Sequence, residues 1–262
     1  MTNLPQPIRL NKFLAERLGV SRREADELIA AGKVFIDDKP AALGARVDKT
    51  NKVCYNKNII PFDTDYLYLA FNKPVGYVCS RRAQGDTPTL YDLLPKECQK
   101  LKTVGRLDKD SSGLILLTND GDFAYQMTHP KFHKEKVYEV TLDRPLEPLH
   151  QQMISDYGIM LDDGPSQFTV IKDELAIPLS KGDVAGGTPA ARRRQPSTVG
   201  EAATAGPAER THFIVKLTEG RNRQIRRTFA ALGYRVTALH RTGFGKYQLS
   251  GLKPGKYVTI KP

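Results

Sequence analysis

Apolar residues near the start of the chain recur with the spacing of amphipathic helices. One set lies within residues 10–18 and a second within residues 25–29, and a glycine follows each set as a stop signal. Ser21 and Glu24 precede the second set in the arrangement of a capping box, in which each side chain binds the other residue's backbone N–H. The apolar residues 34–36, which follow Lys33, predict a strand at residues 33–36. The first fifth of the chain is therefore predicted to be a small helix–helix–strand unit.

From residue 66 onward, short apolar runs and alternating apolar and polar positions are typical of strands. The predicted strands cover residues 66–71, 114–118, 137–142, 168–171, 213–217 and 257–260. Helical spacing is confined to a few segments, such as residues 122–127 and 222–232. Strands interspersed with helices and hairpin-like turns favour an α+β fold, in which flanking helices cover a mixed, mostly antiparallel sheet.

Residues 181–210 differ in composition from the rest of the chain. Glycine, proline and alanine fill 15 of these 30 positions, and no aromatic residue is present. Such a segment buries too little apolar surface to offset its ordering entropy. We therefore expect a flexible insertion at about residues 178–210, within a larger domain of residues 66–262 that follows a small domain of residues 8–55.

The charge of the chain is positive and unevenly distributed. The 262 residues carry a formal net charge of +11. Residues 1–60 hold 11 Lys and Arg against 7 Asp and Glu, and residues 212–262 hold 11 against 1. Two basic ends therefore flank a slightly acidic centre, and this sorting indicates a polyanionic partner such as nucleic acid.

The three cysteines, Cys54, Cys79 and Cys98, show no C-x-x-C spacing. Their odd number and wide separation argue against a disulfide framework and against a zinc site. No apolar run reaches the roughly 20 residues that are needed to cross a bilayer. These features favour a cytoplasmic protein with no membrane partner.

A tight turn at residues 105–113 places Asp108 immediately before the apolar run 114–117. A carboxylate there could coordinate a metal ion, act as a base, act as a nucleophile or cap the turn. The spacing resembles the start of an EF-hand loop, but its twelfth position is Asn119 and not a bidentate glutamate. Calcium binding is therefore disfavoured, and the other roles stay open at this point.

Two further segments carry candidate chemistry. Four of the seven residues 221–227 are arginine, and such a dense cluster repels itself unless it meets an anion, either phosphate or an internal carboxylate. The alternating strand at residues 136–140 places Tyr138 on the same side as Lys136. A tyrosine there is most often part of the core, but its ring can also stack on a base.

Residues 9–40, RLNKFLAERLGVSRREADELIAAGKVFIDDKP, resemble the S4 RNA-binding domain. The alternative is a small helical cap with a solvated basic face. The resemblance implies an RNA-binding surface, because basic residues cluster where helix N-termini also favour phosphate. The residues predicted to bind RNA in this part are Arg9, Lys12, Arg22, Arg23 and Lys33.

Four segments together resemble the ribosomal RNA pseudouridine synthases that carry an N-terminal S4 domain. They are FNKPVG at residues 71–76, GRLDKDSSGLILLTNDG at 105–121, KVYEV at 136–140 and EGRNRQIRR at 219–227. The resemblance covers nearly the whole chain apart from the insertion. It implies an isomerase that converts single uridines in ribosomal RNA to pseudouridine, and it implies neither a cofactor nor a metal ion.

The resemblance also implies roles for individual residues. The catalytic aspartate of the family falls on Asp108, its active-site tyrosine on Tyr138, and the arginine that pairs with the aspartate on Arg226. Arg106 falls on the basic residue that contacts RNA near the vacated base position. The other arginines predicted to bind RNA are Arg221, Arg223 and Arg227. Asp108 could attack C1′ of the sugar or remove a sugar proton, and the sequence does not choose between these routes.

The expected partner is ribosomal RNA. The protein is expected to be a monomer. The arginine-rich segment RNRQIRR resembles more closely the family members that act on the large subunit, which implies 23S RNA, although HPKFHKEKVYEVTL at residues 129–142 also resembles the small-subunit member. The alternatives are the same reaction on 16S RNA or transfer RNA, and a non-catalytic S4-type protein of ribosome assembly. His129 and His133 have helical spacing, but Pro130 lies between them, so a surface or RNA-contact role is expected and not a metal pair.

Overall fold

The computed structural model describes residues 6–81, 85–172 and 211–262. The chain forms two compact units, one of residues 1–134 and 243–262 and the other of residues 135–242. The boundary at residue 134 falls inside the predicted catalytic domain, and the predicted domain limits of 8–55 and 66–262 stay a prediction. The insertion expected at residues 178–210 lies outside the described residues.

The helices and strands are named here in chain order. The strands are β1 (Ile8–Arg9), β2 (Val34–Ile36), β3 (Lys39–Pro40), β4 (Arg46–Val47), β5 (Val53–Tyr55), β6 (Asn58–Ile59), β7 (Tyr68–Lys73), β8 (Lys102–Val104), β9 (Ser112–Thr118), β10 (Lys136–Leu142), β11 (Ile159–Leu161), β12 (Gly164–Ser166), β13 (Thr169–Lys172), β14 (His212–Leu217), β15 (Val236–Phe244), β16 (Tyr247–Gln248) and β17 (Tyr257–Thr259). The α-helices are α1 (Leu10–Arg17), α2 (Arg22–Ala30), α3 (Gly121–Thr128), α4 (Pro148–Gln152) and α5 (Gln224–Ala231). Short 3-10 turns lie at Leu90–Leu93, Lys96–Cys98 and Pro130–Phe132, and a π-helical turn lies at Met153–Tyr157. Each predicted strand is confirmed to within two residues at either end.

The N-terminal part of the first unit folds as its apolar pattern predicts. The Ser21 hydroxyl accepts the backbone N–H of Glu24, and the Glu24 carboxylate accepts the backbone N–H of Ser21, which confirms the capping box. Helices α1 and α2 bury one face each over a four-stranded antiparallel sheet of order β3-β2-β5-β6. The fully buried Phe13 lies in this core, and a large side chain buried there contributes about 1.5–3 kcal/mol.

The remainder of the first unit contains an antiparallel sheet segment of order β8-β9-β7-β17. Residues 114–117 at its centre are fully buried, as the apolar run predicts. The register of β7 against β9 pairs Tyr68 with Thr118 and Lys73 with Gly113. This register brings the end of β7 next to the loop that contains Asp108.

The second unit is built on a sheet segment of order β13-β14-β10-β15. Strand β14 pairs antiparallel with both β13 and β10, and Tyr138 lies opposite Val215. Helix α5 begins two residues later than predicted, because Arg223 adopts a left-handed conformation with φ of 47°. The hairpin of β11 and β12 was not predicted from the sequence.

Residues 9–40, which resemble the S4 domain and are called the S4-like part below, contact the rest of the first unit through polar groups on α1 and the turn that follows it. The Lys12 ammonium lies 2.5 and 2.7 Å from the two carboxylate oxygens of Asp122, at the start of α3. The Lys102 ammonium donates to the backbone oxygen of Ala15 at 3.1 Å. Arg81 donates to the backbone oxygen of Gly19 at 2.7 Å. Direct contacts therefore hold α1 beside α3.

Glu16 at this contact is expected to make stability depend on pH. Burial raises the pKa of the Glu16 carboxyl above its usual value of 4.5, and this effect outweighs the favourable Lys12 ammonium. The folded state therefore binds this proton more tightly than the unfolded state, and stability is lost as the pH rises from 4.5 through the raised pKa.

Glu16→Gln removes the ionisation and should be more stable than the wild type at pH 7, with a difference that shrinks as the pH approaches 4.5. Urea unfolding at a series of pH values measures this difference. Glu27→Gln, an exposed change on α2, is the matched control and should alter stability little. A constant difference between Glu16→Gln and the wild type at all pH values would contradict the assignment.

Candidate active site

The Asp108 loop joins β8 to β9 in the first unit, and glycines stand at both of its ends. Gly105 and Gly113 have φ of 73° and 105°, which other residues rarely adopt. The Asp108 side chain is half-buried, and its backbone oxygen accepts the N–H of Ser111 at 3.1 Å. The turn is therefore closed by its own backbone, as the sequence predicts. Arg106 is exposed beside it.

The fully buried ammonium of Lys73 restrains the Asp108 loop through hydrogen bonds to backbone oxygens. Lys73 at the end of β7 is inaccessible to solvent. Its Nζ donates to the backbone oxygens of Pro74 at 3.0 Å, Asp108 at 3.1 Å and Ser111 at 2.6 Å. Burial lowers the pKa of Lys73, while nearby groups that include the Asp108 carboxylate oppose this shift. The Lys73 side chain thus joins the backbone of the turn, at Asp108 and at Ser111, to the end of β7.

The segment after β7 also contacts the Asp108 loop. Gly76 donates its backbone N–H to the oxygen of Lys109 at 2.7 Å. The backbone N–H of Leu107 lies 3.4 Å from the Cys79 sulfur. The Lys109 ammonium reaches the Thr87 hydroxyl at 3.2 Å. The aspartate therefore stands on a backbone that is restrained at the positions before and after it.

Tyr138 lies in the second unit beside a buried arginine. The tyrosine is 8% exposed and Arg241 on β15 is 2% exposed. A guanidinium nitrogen of Arg241 lies 3.5 Å from the Tyr138 hydroxyl oxygen, and its Cζ lies 5.9 Å from the ring centroid. Burial, aided by the Arg241 charge, lowers the pKa of Lys136 to about 8. Strands β10 and β15 thus place an aromatic ring beside two cations, and sequence reasoning gave Arg241 no role.

The predicted pair of Asp108 and Arg226 joins residues of different units and stays a prediction. Within the second unit, the Arg226 guanidinium on α5 donates to the backbone oxygen of Val236 on β15 at 2.8 Å. This hydrogen bond restrains the side chain of Arg226. Tyr138 and Arg226 are therefore both carried by the second unit, whereas Asp108 belongs to the first.

The other arginines of the cluster have different surroundings. Arg227 lies 2.6 Å from Asp162 and 2.6 Å from Asp163, and Arg221 lies 2.8 Å from Asp163. These carboxylates lie in the β11–β12 turn, so internal anions meet two of the charges that were predicted to meet phosphate. Arg223 is exposed. The RNA-binding role of all three arginines stays a prediction.

The basic residues of the S4-like part are mostly placed as an RNA surface requires. Four of them are exposed, namely Arg9, Arg22, Arg23 and Lys33. Lys12 is the exception, because its ammonium is held by Asp122 and its side chain is only 19% exposed. Its RNA contact stays a prediction, and the structure gives it a position between α1 and α3.

The residues that the structure describes, 6–81, 85–172 and 211–262, contain no cluster of metal ligands and no membrane-spanning helix. In those ranges no group of three or more His, Cys, Asp and Glu side chains could hold a metal ion. Within the same ranges, no helix has both the length and the apolar character that crossing a membrane requires.

Comparison with known families matches two parts of the chain, and comparison with solved structures matches nearly all of it. Residues 67–231 match the family described as RNA pseudouridylate synthase, and residues 8–53 match the S4 domain. A solved structure described as a pseudouridylate synthase aligns with 97% of this chain and 96% of its own, with a TM-score of 0.60 and 27% identity.

Similar curated proteins span almost the same length. A ribosomal small subunit pseudouridine synthase A from Pasteurella multocida is 33% identical over 97% of this chain and 96% of its own length. The protein of that name from Yersinia pestis is 32% identical over 95% and 93%. An uncharacterized RNA pseudouridine synthase from Mycobacterium bovis is 34% identical over 98% and 91%. With a family match over more than half of its length and relatives of this similarity, the chain belongs to the RNA pseudouridylate synthase family, a family of isomerases, and it has an N-terminal S4 domain.

Proposed function

We propose that this enzyme isomerises a uridine of the small-subunit (16S) ribosomal RNA to pseudouridine. The observation that carries the reaction is the Asp108 turn, in which a buried ammonium restrains the backbone around a half-buried carboxylate. The small-subunit target follows the names of the Pasteurella and Yersinia relatives. The expectation of a large-subunit target finds no support among these relatives.

The reaction rearranges bonds within one nucleotide. The N1–C1′ bond breaks, the uracil rotates, C5 bonds to C1′, and the C5 hydrogen leaves as a proton while N1 gains one. Asp108 acts on the sugar, either as the nucleophile at C1′ or as the base that removes a sugar proton. A rigid loop favours either route, because a carboxylate held near the attacking position needs little reorganisation.

The second unit supplies the groups proposed to act on the base. Tyr138 packs against the uracil, and the Arg241 guanidinium 3.5 Å from its hydroxyl restrains that hydroxyl. Arg226 pairs with Asp108 and fixes the orientation of its carboxylate.

RNA binding supplies the free energy that brings the uridine out of the stack. Flipping a nucleotide costs a few kcal/mol. In the proposal, residues 8–55 form the RNA-binding domain and residues 66–262 the catalytic domain, and exposed cations such as Arg22 and Arg23 contact phosphates. The enzyme works as a monomer in the cytoplasm, where ribosomal RNA is modified.

Tritium release from transcripts labelled at C5 of uridine tests this function, because pseudouridine formation frees the C5 hydrogen. The wild type should release about one tritium equivalent per small-subunit transcript and none from a large-subunit transcript. Release from the large-subunit transcript alone would overturn the target. Absence of release from naked RNA and from assembly particles of both subunits would overturn the reaction and favour a non-catalytic RNA-binding protein.

A further inference from the structure

Three aromatic rings cluster on the surface at the end of α3. Tyr125 is 45% exposed and Phe132 is 36% exposed, although both are large rings. The ring centroid of Tyr125 lies 4.7 Å from that of His129 and 5.8 Å from that of Phe132. The rings thus contact one another while much of their surface faces solvent. We call Tyr125, His129, Lys131 and Phe132 the aromatic patch.

The aromatic patch is also cationic. The Lys131 ammonium lies 5.1 Å from the Tyr125 centroid and 4.7 Å from the Phe132 centroid. His129 accepts the backbone N–H of Lys131 through Nδ1 at 3.2 Å, which puts the proton of a neutral ring on Nε2. Residues 125–134 contain two lysines, two histidines and no carboxylate. A ligand would therefore meet flat rings and hydrogen-bond donors together.

Helix α3, which carries Tyr125 of the aromatic patch, ends beside the start of the Asp108 loop. A Cβ at Gly105 would be 3.5 Å from the Thr128 methyl group, so the end of α3 contacts the first residue of that loop. Gly105 and Asp108 are three residues apart, and a chain of that length spans at most about 11 Å. The exposed Arg106 lies between them in the sequence. All of these residues belong to the first unit.

We propose that the aromatic patch binds a single-stranded nucleotide of the RNA substrate that flanks the target uridine. This inference rests on the proposed function. The base stacks on the exposed Tyr125 and Phe132 rings, and Lys131 pairs with the adjoining phosphate. Exposed rings bind bases of any sequence, because every base has a π face, and a nearby cation adds phosphate affinity.

The charge of the aromatic patch favours RNA over a protein partner. Surfaces that bind proteins through an apolar centre tend to exclude lysine from it, whereas Lys131 lies over two of the rings here. The position beside the catalytic loop has the same implication, because a uridine that leaves its stack also exposes the neighbouring bases.

The test compares variants by RNA affinity and by single-turnover tritium release. Tyr125→Ala combined with Phe132→Ala should weaken binding of the transcript used in the activity assay roughly 5- to 100-fold. Tyr125→Phe and Phe132→Tyr keep the rings and should retain wild-type affinity. Lys131→Gln should lower the slope of log affinity against log salt by about 1. Tyr157→Ala, at a tyrosine that is 77% exposed in the second unit, is the matched control and should bind normally.

Unchanged affinity of the double alanine variant, with an active wild type, would overturn the proposal and leave the aromatic patch to another partner. An equal loss in Tyr157→Ala would overturn it as well. Thermal unfolding checks the fold, and if the double variant does not fold, Phe132→Leu and Lys131→Gln decide the question by the same readouts. An inactive wild type would instead be a failure of the proposed function, so the two failures are distinguishable.

Discussion

Asp108→Asn is expected to lower the rate of tritium release by at least about 10⁴-fold and to leave RNA affinity nearly unchanged. Asparagine keeps the size of the side chain but can neither attack C1′ nor accept a sugar proton. The backbone oxygen of residue 108 still accepts from Lys73 and from the N–H of Ser111, so the turn keeps its shape. Single-turnover release and RNA titration measure the two quantities.

Asp110→Asn is the matched control, because Asp110 is an exposed aspartate in the same turn. This variant should retain a rate close to that of the wild type. Full activity of Asp108→Asn, or an equal loss in both variants, would contradict the assignment of Asp108. A loss of RNA affinity that accounts for the whole loss of rate would contradict it as well.

Lys73→Met is expected to lower both stability and turnover. Methionine has a similar length but no donor, so the oxygens of Pro74, Asp108 and Ser111 lose the ammonium that joins them. Unsatisfied buried acceptors cost about 1–3 kcal/mol each. Part of this loss is offset, because the variant no longer buries a charged ammonium. We expect the free energy of unfolding to fall by about 2–4 kcal/mol.

The same change should lower kcat about 100-fold with little change in RNA affinity, because a displaced carboxylate loses its alignment with C1′. Urea unfolding and single-turnover rates measure the two effects. Lys109→Met removes an exposed ammonium from the same loop and should change stability by no more than about 0.5 kcal/mol. A Lys73→Met variant that is destabilised but fully active would show that the ammonium supports the fold without positioning Asp108.

Local signals in the sequence predicted much of the fold. The capping box at Ser21 and Glu24 needs only two side chains and a helix start, so nothing elsewhere in the chain overrides it. The run 114–117 has no polar position, and a short apolar run between turn signals is typical of a strand that is buried on both faces, as these residues are. The turn with its glycines is visible in the sequence and made Asp108 a candidate, but its catalytic role was predicted from the family resemblance.

The buried cations could not be predicted from local patterns. Lys73 is fully buried because of acceptors that include Ser111, 38 residues further along the chain. The surroundings of Arg227 depend on Asp162, which lies 65 residues before it. A lysine or arginine in a sequence is usually exposed, and only the tertiary fold brings such distant partners to it. The missing role of Arg241 has the same origin.

The contacts of α1 with α3 have a consequence for how a uridine is chosen. Hydrogen bonds of Lys12 and Lys102 join the S4-like part to the segments that lead into and out of the Asp108 loop. The S4-like part is therefore held in a fixed position and is not attached through a flexible linker alone. Two binding sites joined by a flexible linker sample a range of distances from each other, whereas two sites on one fixed unit stay at a single distance. Under the proposed function, this fixed separation lets the first unit select a uridine by its distance from the RNA that the S4-like part binds, as well as by the bases around it.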